Sequence, residues 1–380
     1  MIETRFKKTE VGEIPEDWEI NRLGEICTFE DYKRIPIKES ERANIGGIYP
    51  YYGASGIIDY INKYIFDDDY ILLGEDGANI VDRSSRLAFI VRGKCWINNH
   101  AHVIKPNNGV DIYYLSEYLE SLSYESYNTG TAQPKLNRKK CNNIPIACPP
   151  FPEQQRIATA LSDIDALLSA LNKKIEKKKL IKQGAMQQLL TGKKRLAGFT
   201  EPWEEKRLGD ICNIITGGEL DQSNYSPIIT DKFKYPIYAN GRDTYGYTDH
   251  FMIDQDCACV SSIGANTGDV FFHKAYFTPI IRLKVLIPIN CISKFIYYYL
   301  SVLGKFTRKN EGGIANINAN DVKEARVKIP LTISEQSAIA TLLSDMDKEI
   351  EALEAKRSKY TQVKQGMMQQ LLTGKIRLVD

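Results

Sequence analysis

Two stretches of the chain carry an apolar stripe that recurs in alternating steps of four and three residues. The first runs Ile157, Leu161, Ile164, Leu168, Leu171 and Ile175, passes Lys178 and Lys182, and returns to Ala185 and Leu189. The second runs Ile339, Leu343, Met346, Ile350 and Leu353, passes Arg357, Tyr360 and Lys364, and returns to Met367 and Leu371. This spacing is that of a coiled-coil seam. It predicts two helices of about 38 residues, each roughly 57 Å long at 1.5 Å per residue. Gly184 and Gly366 interrupt them at about 1 kcal/mol each, and Thr191-Gly192 and Thr373-Gly374 supply left-handed stops.

Elsewhere the pattern changes. Short β-like runs, Tyr70 to Leu73, Leu87 to Val91, Val260 to Ile263 and Asp269 to Phe272, are punctuated by glycine turns. Helical stretches, Tyr113 to Ser121 and Lys294 to Leu303, stand late in each half. The prediction is an α+β chain in four parts: a globular domain over 1–150, a long helix over 151–192, a second globular domain with its linker over 193–330, and a long helix over 331–380.

The halves are copies of one frame. Lys182 to Lys193 reads KQGAMQQLLTGK and Lys364 to Lys375 reads KQGMMQQLLTGK, an agreement in eleven of twelve positions. Glu153-Gln154, Ile157-Ala158-Thr159, Leu161-Ser162-Asp163 and Asp165 return as Glu335-Gln336, Ile339-Ala340-Thr341, Leu343-Ser344-Asp345 and Asp347. Upstream, the ten residues from Trp18 match those from Trp203 in seven positions. Between these landmarks only fragments agree, such as Tyr49-Pro50 with Tyr235-Pro236 and Gly77-Ala78-Asn79 with Gly264-Ala265-Asn266.

A repeated frame with unlike filling suits a scaffold that carries two different readers. In mid-chain the LLTGK segment runs on into the Trp203 segment. The Trp18 segment has no such predecessor, and the second LLTGK has no successor, so a ring with one link cut predicts that the C-terminus lies close to the residues preceding Trp18. The two apolar stripes are expected to face each other as an antiparallel pair, forming a rigid spacer. The plainer alternative has each helix packed on its own domain.

Composition adds bounds. The 380 residues are 43% hydrophobic and 26% charged, as in folded globular proteins. No run is long and apolar enough for a membrane span, and Met1 to Lys8 lacks a signal peptide's apolar stretch, so a cytoplasmic location is expected. Eight cysteines without a CxxC pair read as buried apolar side chains, with zinc as the second reading.

The net charge of +2 speaks against a strongly basic DNA-binding face until it is divided. Residues 1–152 carry 18 positive and 22 negative charges, 153–198 carry 10 and 4, 199–333 carry 15 and 15, and 334–380 carry 7 and 7. The excess lies on the first long helix. Within the domains, positive charge clusters at Lys135, Arg138, Lys139 and Lys140, and again at Lys305, Arg308 and Lys309. Both clusters flank loops of small residues, Thr129 to Pro134 and Glu311 to Asn316. Such loops suit contacts with phosphates and base edges, although a solvated turn is the commoner fate of any one of them.

Catalytic motifs are missing. The chain has no GxxxxGK[ST] phosphate loop, no GxSxG elbow and no HExxH. His100 and His102 form an HxH read as two ring faces on one side of a strand. Cys148-Pro149-Pro150-Phe151 lacks the Asn or Asp with which amino-methyltransferases hold the target amine, and Asp31-Tyr32-Lys33 alone is uninformative as a nuclease fragment.

Pro15-x-x-Trp18 with Arg22-Leu23-Gly24-Glu25-Ile26, Pro149-Pro150-x-x-Glu153-Gln154, and the two Lys-Gln-Gly-x-Met-Gln-Gln-Leu-Leu-Thr-Gly-Lys helix ends together resemble the DNA-specificity subunit of type I restriction-modification systems. The resemblance covers essentially the whole chain. At the second helix start, Leu331-Thr332-Ile333-Ser334 departs from the Pro-Pro pattern. The resemblance implies two target-recognition domains that each read one half of a split double-stranded DNA site, separated by an antiparallel helical spacer. It also implies docking of two methylation subunits, with restriction subunits joining through the complex. No catalytic activity is expected in this chain, with S-adenosylmethionine, ATP and Mg carried by partner subunits.

For the first reader, Tyr51, Tyr52, Ser55, Gln133, Lys135 and Arg138 are the candidate DNA contacts; for the second, Asn240, Arg242, Tyr245, Lys309 and Asn316. No metal-binding residue is assigned. The competing classes are a coiled-coil scaffold without a DNA role and a stand-alone DNA methyltransferase. The first would show no sequence-dependent retention on DNA, and the second would bind S-adenosylmethionine by itself.

Overall fold

A computed structural model of the chain describes residues 5–130, 133–303, 306 and 316–379. It divides into two compact units, residues 1–172 with 356–380, and residues 173–355. The division falls within both long helices. These span Phe151–Leu189 and Ile333–Leu371, 39 residues each, and each contributes its first part to one unit and its last part to the other.

In the first unit an antiparallel sheet has the order Cys27–Phe29, Ala101–Pro106, Tyr70–Gly74, Ala88–Val91. A second sheet has the order Gly56–Ile61, Gly46–Gly53, Lys94–Ile97, Phe66–Asp67, with Lys94–Ile97 parallel to Gly46–Gly53. A two-stranded ribbon pairs Glu19–Arg22 with Pro145–Cys148. The second unit repeats this plan. Its main sheet runs Cys212–Thr216, Lys284–Pro288, Cys257–Val260, Val270–His273, and its ribbon pairs Trp203–Arg207 with Arg326–Pro330. Its other sheet runs Thr244–Thr248, Tyr235–Tyr238, Thr278–Pro279, again with one parallel pair.

One predicted strand, Val260 to Ile263, shifts. The strand is Cys257–Val260, whose four side chains are all buried. Ser261 still bonds to Asp269 O and Gly268 N–H beyond the strand end, and Ser262 turns away, its N–H donating to Asn240 Oδ1 at 2.8 Å.

Within each unit the start of one long helix packs antiparallel to the end of the other. In the first unit Lys364 Nζ lies 2.7 Å from Asp165 and Arg357 Nη1 lies 3.4 Å from Asn172. In the second, Lys182 pairs with Asp347 and Lys178 with Glu349 at 2.7 Å. The cations on the seam therefore have acidic or amide partners across it, which fixes the register. Tyr113 donates to Asp165, and Tyr298 donates to Asp347 at 2.6 Å, so the same carboxylates also tie helix to domain.

The two packing alternatives are both realised. Ile157, Leu161, Leu371 and Leu372 are buried in one core with Trp18, Leu23 and Tyr114. Ile339, Leu343, Leu189 and Leu190 are buried in another with Leu208, Phe295 and Tyr298. A helix this long needs both partners to cover its stripe.

Each start of a long helix is held by its Glu-Gln pair. Gln154 donates to Pro149 O at 2.9 Å and accepts from Asp111 N–H at 2.9 Å. Gln336 donates to Pro330 O at 2.9 Å and accepts from Ile292 N–H at 2.8 Å. The second start thus keeps both hydrogen bonds without the second proline. Gly192 and Gly374 take the predicted left-handed stops, with φ of 70° and 69°. Gly374 packs on Pro15 and Trp18, and Arg377 pairs with Asp17 at 2.6 Å, so the C-terminal segment lies beside the residues that precede Trp18.

Candidate nucleic-acid interface

The main sheet and its neighbour meet, in each unit, at an arc where the chain crosses from one to the other. In the first unit this arc is Asn98 to His100; in the second it is Ile280 to Arg282. Asn98 N–H donates to Tyr52 O at 3.1 Å, and Ile280 N–H donates to Tyr238 O at 2.8 Å. Backbone hydrogen bonds then gather two further loops beside each arc. Glu75 N–H donates to His100 O at 2.9 Å and Leu136 N–H to Glu75 O at 2.8 Å. In the second unit, Ser262 Oγ donates to Arg282 O at 2.7 Å and Ile317 N–H to Ser262 O at 3.0 Å. Lys135 and Asn316 therefore occupy equivalent places, each just before a residue bonded to the equivalent loop. The repeated Gly-Ala-Asn fragments, 77–79 and 264–266, lie in those loops.

The side chains on these matched frames differ in kind. The first cluster is ionic. Arg34 Nη1 lies 2.7 Å from Glu75, Lys135 Nζ 3.4 Å from Glu75, and His100 Nδ1 3.0 Å from Asp76. Beneath it, buried His102 donates from Nδ1 to Asp31 at 2.7 Å and from Nε2 to Leu136 O at 2.9 Å. Burial is the largest single influence and works against charge on that ring, but the Asp31 carboxylate and the Cys141 thiol together outweigh it and hold the imidazole up at about 10. A protonated His102 thus braces the loop that carries Lys135.

The second cluster is built from amides, hydroxyls and apolar groups. Asn240 donates to Ile281 O and accepts from Ser261 Oγ and Ser262 N–H. Asn266 donates to Asn240 O at 2.9 Å. His102 has Lys284 as its counterpart, since the two hold the same register in the paired strands. Lys284 is buried, and its ammonium is pushed down by that burial and by Arg282.

The structure sorts the candidate contacts. Ser55, at the hairpin tip, and Gln133, Lys135 and Arg138, on the adjoining loop, are exposed around the first cluster. Arg138 stacks its guanidinium over Phe29 at 5.5 Å. Tyr52 is half-buried against Phe89. Tyr51 is a correction: its ring is 1% exposed, Arg42 covers it at 5.0 Å, and its hydroxyl accepts from Ile37 N–H at 3.1 Å. Packing absorbs that side chain completely.

In the second unit Arg242, Tyr245 and Asn316 are exposed. Asn240 spends its amide inside the loop cluster, so it positions the arc and its side chain is not free for a base. Lys309 lies outside the described residues, as do Lys305, Arg308, Thr131, Ala132 and the loop from Glu311 to Ala315.

The weighed catalytic fragments have structural roles. Asp31 is the partner of His102, and Cys148 ends a ribbon strand before the first long helix. All eight cysteines are free thiols, seven of them buried. Among the described residues no group of three His, Cys, Asp or Glu is placed to hold a metal, and no helix is long and apolar enough to cross a membrane. Asn98, Ile281 and Arg282 were not singled out in the sequence, and His100, read there as a strand residue, lies in the arc before the strand Ala101–Pro106 and pairs with Asp76. The Gly-Ala-Asn fragments, which pack beside both arcs, were the signal that pointed there.

Two unlike clusters on one duplicated frame coincide with a family pattern. The model of the type I restriction modification DNA specificity domain matches residues 15–181 and again 200–361. The chain belongs to that family. It is 26% identical to the type I restriction enzyme MjaVIII specificity subunit of Methanocaldococcus jannaschii, over 99% of this chain and 97% of that one. It is 27% identical to the EcoprrI specificity subunit of Escherichia coli over 39% of this chain and 36% of that one. The S subunit of the M. genitalium type I restriction-modification system shares the fold, with a TM-score of 0.70 and 16% identity over 93% and 96% of the two chains. A further solved structure, described for complex assembly and conformational transition of the type I system, has a TM-score of 0.51 at 16% identity, over 96% and 99% of the two chains.

Proposed function

We propose that this specificity subunit reads a split double-stranded DNA target, one half with each loop cluster, while the paired helices fix the separation of the halves. The observation that carries this reading is the matched pair of arcs with their flanking loops, held by ion pairs in one unit and by amides and hydroxyls in the other. Equivalent frames with unlike side chains would select unlike base sequences.

The chain acts on this reading without chemistry of its own. Methylation subunits, two in number, dock on the helices and hold S-adenosylmethionine; restriction subunits join through the complex and use ATP and Mg. Near-neutral recognition units imply that much of the phosphate neutralisation comes from those partners. Ser55, Gln133, Lys135 and Arg138 contact DNA from the first unit, and Arg242, Tyr245, Lys309 and Asn316 from the second. The half-buried Tyr52 supports the first loop cluster.

Co-expression with the methylation subunit, followed by mapping of methylated adenines, tests this reading. A single two-part motif with a fixed gap is expected. Methylation without a two-part motif, or none at all, would reject it. Arg242→Ala and Arg138→Ala are each expected to relax their own half of the motif only.

A further inference from the structure

The arc of the second unit holds two consecutive non-glycine residues in the left-handed region, Ile281 at φ 50° and Arg282 at φ 60°. A β-branched residue disfavours that region strongly, because its Cβ substituents crowd the backbone. The surroundings hold it there. Ile281 N–H donates to Gly218 O at 2.8 Å, Arg282 N–H to Gly217 O at 3.1 Å, and Ser262 Oγ to Arg282 O at 2.7 Å, while Asn240 donates to Ile281 O. A Cβ on Gly217 would sit 2.8 Å from Ile280 N, so only glycine lets the supporting strand come this close.

This bracing turns both side chains outward. Ile281 is 39% exposed, and the Arg282 guanidinium is exposed with no hydrogen-bond or ion-pair partner among the described residues. Beside them opens a cavity of about 490 Å³ lined by Gly217, Gly218, Glu219, Ile263, Ile281 and Arg282. Its apolar wall carries a guanidinium, with one carboxylate, Glu219, also on its lining. The first unit has Asn99 and His100 at the same arc positions, with His100 held by Asp76.

We infer that Arg282 and Ile281 form a base-reading element for the half-site of the second unit, with Arg282 donating to guanine O6 and N7 and Ile281 packing on the neighbouring base edge. This inference rests on the reading proposed above. A phosphate contact fits the cavity less well. The nearby carboxylate repels a phosphate, whereas a G·C pair offers acceptors to Arg282 and an amino group to Glu219. The apolar wall suits a pyrimidine 5-methyl group.

The test maps methylated adenines in the complex of the full chain with its methylation subunit. Arg282→Ala is expected to relax a single guanine position by roughly 10- to 100-fold, the worth of one bidentate contact, with the other half-site intact. Ile281→Gly keeps the left-handed backbone without strain, so it is expected to fold at least as well and still lose discrimination at the adjacent base. An unchanged motif in Arg282→Ala, or weakening uniform over all sites, overturns the guanine assignment. A well-folded Ile281→Gly with full discrimination removes Ile281 from it. A wild-type complex with no two-part motif rejects the underlying reading and this inference with it. A wild-type motif that both variants leave intact rejects the inference alone.

Discussion

Arg377 grips Glu153 through Nε at 2.8 Å and Nη2 at 2.9 Å, although the two lie 224 residues apart in sequence. Arg195 grips Glu335 in the same way in the second unit, 182 positions away from each partner. Trp18 and Trp203 complete the two latches by donating from Nε1 to those glutamates. Both carboxylates are 1% exposed. Removing the arginine strands a buried charge, which costs about 3–5 kcal/mol. Arg377→Ala and Arg195→Ala are therefore expected to lower the urea midpoint sharply. The double change Arg377→Met with Glu153→Gln is expected to recover much of the loss, since the uncompensated charge is gone.

His102 makes the first unit sensitive to alkali. Its folded pKa is raised, so its contribution is fully present below about 6.5 and is lost as pH rises through about 10. Denaturation of wild type and His102→Gln across pH 6 to 10 checks this. The advantage of the wild type is expected to shrink steadily over that window; a constant difference would mean that the charge on the ring contributes nothing.

His273 works in the opposite direction in the second unit. It is buried, stacked on Tyr238 with ring centroids 3.7 Å apart, and its Nε2 has no hydrogen-bond partner among the described residues. Burial pushes it down to about 4. A depressed pKa gives stability that is present above about 6.5 and lost as pH falls through about 4. His273→Phe, which retains a stacking ring, is expected to reduce acid sensitivity between those values in thermal melts. Equal sensitivity in both proteins would place its origin elsewhere.

The helical glycines are open to improvement. A Cβ added at Gly184 or Gly366 meets nothing within 4 Å. Alanine at either place is expected to stabilise the chain by about 0.5–1 kcal/mol through backbone entropy, read as a rise in melting temperature.

Tyr51 separates stability from recognition. Tyr51→Phe removes the hydrogen bond from Ile37 N–H and is expected to cost about 1 kcal/mol, while the methylation motif stays the same. A changed motif would return Tyr51 to the DNA contacts.

Periodicity and repetition determined a great deal on their own. The four-three spacing from Ile157 and Ile339 defines long helices because burial of one stripe needs that period. The 182-residue repeat of Asp165 and Lys182 already contained both partners of the Asp165–Lys364 and Lys182–Asp347 pairs, and the cut ring placed the C-terminus near the residues that precede Trp18. The recognition surface was only partly legible. Tyr51 reads as an exposed aromatic in the sequence, yet strand alternation and Arg42 bury it. Ile281 and Arg282 carry no motif, because their exposure comes from a left-handed turn imposed by Gly217, Gly218, Ser262 and Asn240, residues that meet only through tertiary contacts. Local sequence specified the frame, since helix period and strand burial are local properties. Which side chains stand free on it depended on hydrogen bonds between segments far apart in the chain.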